Sequence, residues 1–219
     1  MSRIPSPPSL KRRSPHLESK VEVVIACEGT VTEPDYFQKC IGYYGAGLVR
    51  LRILPRTGVP MTVVKAAVAE KEKLQLKARK APLADRIPFS VWAVFDRDEH
   101  DVEPAFALAR TNKIGLAFSN PCFELWPLLH LNQEYGAQEG RHEVQRHLNL
   151  VMPGYHHTNN ARVDFEMMKS HVGAAISRAA HLNISRENEG CPNGCPSTTV
   201  GNLVQKIIDN GRINFRIKA

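Results

Sequence analysis

Residues 21–34 read VEVVIACEGTVTEP. A short, apolar, β-branched run, 21–26, reaches Cys27-Glu28-Gly29-Thr30, the pattern of a strand entering a turn. Thr32-Glu33-Pro34 then opens a helix, with Pro34 expected at the first helical position and Phe37 and Ile41 one turn apart. The same alternation repeats downstream. LVRLRIL (48–54) reads as a second strand, and a long helix follows from Pro60, with Met61, Val64 and Val68 on one face. SVWAVF (90–95) is a third strand ending at Asp96-Arg97-Asp98-Glu99. A helix over 101–112 then turns Phe106 and Ala109 inward, and IGLAF (114–118) is a fourth strand. Ser119-Asn120-Pro121 leads into the helix CFELWPLLHL, with Pro121 expected in its first turn.

Strands alternating with helices predict an α/β fold, a parallel sheet flanked by helices. After Leu131 the strand signal stops. Helices are expected at 141–150, 162–183 and 199–210, so the C-terminal part reads as a helical extension. Three parts follow: a flexible basic arm over 1–20, an α/β domain over 21–131 and the extension over 132–219.

The 219 residues suffice for a real core, and no apolar run approaches the ~18 residues of a membrane span. The first residues, MSRIPSPPSLKRRSPH, carry no apolar export segment, and five cysteines (27, 40, 122, 191, 195) form no repeating frame. Reduced thiols in a cytoplasmic protein are expected. Net charge is +7, and more than half of it comes from Arg3, Lys11, Arg12, Arg13 and Lys20 against Glu18. Such an arm attracts a polyanion without reading sequence, and it equally serves as a solubilising tail.

Chemistry gathers at three strand ends: Glu28 with Glu33, Asp96 with Asp98, and Glu124. In an open parallel sheet the C-terminal strand ends share one edge, where ligands bind. Carboxylates brought together there repel unless a cation sits among them, and oxygen donors favour Mg²⁺ or Mn²⁺ over zinc. Each piece also has an ordinary reading. Asp-Arg-Asp-Glu alone is a solvated loop, and Glu33 or Glu124 alone suits a helix N-terminus. If phosphate chemistry takes place at this edge, a cationic side chain is wanted as well, with Arg97, Arg56 and Lys113 as candidates.

CEGTVTEPDYF, VFDRDEH and IGLAFSNPCFELWPLLHL, in that order, resemble the RloB-like family, and CPSTTVGNLVQKI resembles that family's terminal motif. The resemblance spans most of residues 20–210. It implies a core like the Toprim (topoisomerase–primase) domain and a setting in restriction-modification or abortive-infection loci. It also implies a metal-dependent nuclease acting on DNA or RNA, beside a separate ATPase. By the same resemblance Glu28, Asp96 and Asp98 hold Mg²⁺ or Mn²⁺, with Glu124 as a further ligand and Glu33 joining Glu28, Asp96 and Asp98 in catalysis. Lys11, Arg12, Arg13 and Arg97 are expected to contact nucleic acid. The chain has no Walker A pattern, so any NTP motor is another subunit, and the number of copies in an assembly stays open.

Two other classes compete. A Toprim-like body without catalysis can serve as an interaction or sensor subunit. A haloacid-dehalogenase phosphatase fits poorly, because its Asp-x-Asp follows the first strand, whereas here it follows the third. Cys191-Pro-Asn-Gly-Cys195 is half of a zinc site at most, and His156-His157 follows the turn signal Pro153-Gly154-Tyr155, where a histidine near the strand ends could meet phosphate.

Overall fold

The computed structural model describes residues 21–54, 58–97, 101–132, 140–159 and 161–212. Five strands form one sheet in the order β2-β1-β3-β4-β5. They are β1 (Val21–Cys27), β2 (Val49–Leu54), β3 (Phe89–Asp96), β4 (Gly115–Asn120) and β5 (Ser197–Thr198). The first four are parallel, and β5 runs antiparallel to β4, with Ser119 opposite Thr198. The architecture is therefore the expected α/β sheet flanked by helices.

Alternation along β1 explains the layering. Val23, Ile25 and Cys27 face one side of the sheet and Val24 and Ala26 the other, and all five are buried. On the first side lie α1 (Thr32–Tyr44), α4 (Leu125–Leu131) and α8 (Val200–Arg212), contributing Tyr36, Phe37, Trp126, Val204 and Ile207. On the second lie α2 (Pro60–Lys80) and α3 (Glu103–Thr111), with Val63, Val64, Ala67, Ala105, Phe106 and Ala109. The buried stripe of α2 runs through Val63, Val64, Ala67 and Leu74. Met61 and Val68 flank it rather than define it.

Beyond α4 the chain forms α5 (Arg141–Val151), α6 (Phe165–Met168) and α7 (Val172–Asn188) before returning to the sheet. Here two expectations are corrected. Strands do not stop at Leu131, because β5 is pinned by Asn183: its Nδ2 donates to the Thr198 carbonyl at 2.9 Å, and its Oδ1 accepts from the Thr198 amide at 3.1 Å. The helix expected over 162–183 is also split. Asp164 caps α6 by accepting from the amides of Glu166 and Met167, and a 3-10 turn over Lys169–His171 separates it from α7.

Pro121 precedes α4 rather than sitting in its first turn. The amides of Leu125 and Trp126 reach back three residues, to Cys122 and Phe123, so the chain enters α4 through a tighter turn, with Glu124 at the N-cap. Pro127, in the first turn, leaves no intrahelical donor missing. Among the described residues no helix is long and apolar enough to cross a membrane.

Candidate active site

The chain leaves β1 for β2 on one side and then crosses back to β3 on the other. The switch point of the sheet therefore lies between β1 and β3, where the strand ends open a crevice. Cys27 pairs with Val94, and the Glu28 amide continues the ladder by donating to the Val94 carbonyl at 3.0 Å. This register sets Glu28 beside Asp96, whose amide donates to Glu28 Oε2 at 3.2 Å.

Glu33, in the first turn of α1, folds back over the β1–α1 loop and is only 6% exposed. It is packed against Gly29 so closely that a Cβ on that residue would sit 2.1 Å from Glu33 Oε2, which explains the glycine. Burial pushes the Glu33 carboxyl up to about 7. The amides of Glu33 and Gly29 oppose that shift, and the charges of Glu124 and Glu28 reinforce it. Asp96, at the end of β3, is raised well above the usual carboxylate range. Burial is the main cause, Glu33 and Glu124 add to it, and Arg141 and the Phe123 amide oppose it.

Glu124 behaves differently. Burial alone would raise its carboxyl, but hydrogen bonds from Tyr155, its own amide and Cys122, with His157 beside it, outweigh burial and hold it below the ordinary value. Oε1 takes the Tyr155 hydroxyl at 2.6 Å, His157 Nδ1 at 2.7 Å and Gln145 Nε2 at 3.2 Å. Glu28, Glu33, Asp96 and Glu124 thus line one open cleft of about 330 Å³, together with Arg141 and His157.

The strand-end acids expected from the sequence meet, apart from Asp98, which lies outside the described residues together with Lys11, Arg12, Arg13 and Arg56. Of the candidate cations, Arg97 and Lys113 do not line the cleft. Arg97 is exposed and away from the cleft lining, with its amide held by the Ser119 carbonyl at 2.7 Å. Lys113 directly precedes Ile114 and β4, which puts it at the N-terminal edge of a parallel sheet, opposite the cleft. Among the described residues, the arginine at the cleft is Arg141, the first residue of α5, with Nη2 3.9 Å from Asp96 Oδ2. It follows Asp96 by some forty residues, and no motif marks it.

Donor chemistry at the strand ends is carboxylate oxygen, which fits a hard divalent ion. Among the described residues, however, no three His, Cys, Asp or Glu side chains already stand grouped for a metal. Cys191 and Cys195 are exposed and form no disulfide among the described residues, and they lie outside the cleft lining.

No curated protein and no solved structure matches the chain. The sequence model of the RloB-like proteins does match, over residues 23–207, from β1 into α8. With nearly the whole sheet-and-helix body inside that match, the chain belongs to the RloB-like family.

Proposed function

We propose that the cleft is the active site of a Toprim-like nuclease that hydrolyses phosphodiesters in DNA or RNA with Mg²⁺ or Mn²⁺. One observation carries this reading: Glu28, Glu33 and Asp96, distant in sequence, converge at the switch point of the sheet, and mutual repulsion adds to burial in raising Glu33 and Asp96. Acids held so far from their ordinary ionisation are stabilised by a cation. Glu28 and Asp96, with Asp98 following the same strand, form the proposed donor set. Glu124 is left out of it because Oε1 already serves three donors. A divalent ion bound there would polarise the scissile phosphate and lower the pKa of water.

The protein's own groups supply the rest. Glu33 exchanges a proton near neutral pH, which suits a residue that takes one from the attacking water. Arg141 sets a guanidinium against the phosphate as negative charge builds. The setting we propose follows the family resemblance: defence against phage, beside a separate ATPase. Lys11, Arg12 and Arg13 would add non-specific attraction to nucleic acid.

A second reading has one observation in its favour. Arg141 already faces Asp96 and supplies a counter-charge from the protein itself, as a non-catalytic partner or sensor subunit would have it. The experiment that separates the two is cleavage of labelled DNA and RNA in Mn²⁺ or Mg²⁺ by the wild type and by Asp96→Asn. Metal-dependent cleavage that falls by two or more orders of magnitude in the variant is expected. Absence of cleavage, or cleavage indifferent to Asp96, would favour the partner role.

A further inference from the structure

Two adjacent histidines at the cleft mouth are treated differently by the fold. His156 is exposed, and its Nδ1 pairs with Thr158 Oγ1 at 3.1 Å. His157 lines the cleft, and its Nδ1 lies 2.7 Å from Glu124 Oε1. A carboxylate only accepts, so Nδ1 carries the hydrogen, and the ring presents Nε2 away from Glu124. The carboxylate itself is fixed. Glu124 is 4% exposed, and the same oxygen receives the hydroxyl of Tyr155, which is 1% exposed, and the amide of Gln145. The His157 side chain is 49% exposed, so an otherwise mobile ring is anchored at one nitrogen and open at the other.

Such an arrangement orients an imidazole for proton transfer, as a buried acid does for a catalytic histidine in other hydrolytic sites. Glu33, at the start of α1, lines the same cleft, whereas His157 comes from the turn after α5. A phosphodiester in the cleft therefore meets both a proton acceptor and a proton donor.

Resting on the nuclease reading, we propose that His157 is the catalytic residue that protonates the leaving oxygen, and that Glu124 is its positioning residue. Water forms the new P–O bond while its proton passes to the Glu33 carboxylate. The ester P–O bond breaks with its electron pair going to the leaving oxygen, and that oxygen takes the proton from His157 Nε2. An alcohol and a phosphomonoester result. Return of a proton from Glu33 to the imidazole through solvent closes the cycle.

Leaving-group dependence tests the assignment. His157→Gln is compared with wild type on an oligonucleotide, whose alkoxide needs a proton, and on the p-nitrophenyl ester of thymidine 5′-phosphate, whose phenolate leaves without one. Loss of general-acid catalysis slows the first reaction by about 10²- to 10⁴-fold and leaves the second within a few-fold of wild type. Equal loss on both substrates, or none on the oligonucleotide, overturns the role of His157 while leaving the nuclease reading intact. A wild type inactive on both overturns the nuclease reading and this inference with it. Because the side chain is half exposed, the variant is expected to keep the wild-type urea midpoint.

Discussion

Replacing Glu33 with Gln removes an ionisable group while keeping a carbonyl oxygen for the amides of Gly29 and residue 33. In the folded protein burial raises this carboxyl from 4.5 to about 7. The folded state therefore holds the proton to a higher pH than the unfolded chain does. Stability contributed by the group is full below 4.5 and is lost as pH rises through about 7. At about 1.4 kcal/mol per pH unit, the complete loss is about 3 kcal/mol, of which about 2.5 kcal/mol falls between pH 5 and pH 8. Asp96 relaxes in the same direction when the Glu33 charge disappears, so the two effects share a sign. The assay is urea unfolding in EDTA at pH 5 and pH 8, followed by the fluorescence of Trp92 and Trp126. The wild type should lose about 2.5 kcal/mol more than Glu33→Gln across that interval. Taking the difference between the two proteins cancels the titrating groups that do not interact with Glu33. Parallel pH profiles, within about 0.5 kcal/mol, would refute the buried, cation-seeking character assigned to the site.

Two further outcomes concern the scaffold. His130 is pushed down to about 4, first by burial and then by His171 and Arg178, against its hydrogen bond to the Trp126 carbonyl. Its contribution is present above 6.5 and disappears as pH falls toward 4, so His130→Asn should flatten acid unfolding there by about 3 kcal/mol, read from urea titrations at pH 7 and pH 4. Ile207→Ala, at a fully buried position of α8, should cost about 2–5 kcal/mol in urea unfolding; a cost below about 1 kcal/mol would mean that α8 does not seal the core.

Local signals made the first four strands readable. The β-branched run ending in Cys27 and the run ending in Phe95 are short, continuous and followed by acids, so strand type and edge chemistry could be read together. The rest depends on contacts distant in sequence. Ser197-Thr198 has no apolar period and becomes β5 only because Asn183 and β4 hold its backbone. Arg141 is one basic residue among many until α5 delivers it to Asp96. Lys113, a candidate by residue type alone, precedes β4 and so sits at a strand start, whereas the acids sit at strand ends. Glu33 reads equally well as a helix-terminal acid, and its burial becomes visible only when Gly29 and Glu124 are placed around it.

The position of α8 has a consequence for biosynthesis. Val200, Leu203, Val204, Ile207 and Ile208 cover the side of the sheet that carries Val23 and Ile25, so the earliest strand to leave the ribosome waits for one of the latest helices before its apolar surface is sealed. Since Arg141 and His157 also arrive long after Glu28, a growing polypeptide exposes its acids without their counterparts. The cleft can therefore be lined on every side only after α5 and the turn behind it have been made.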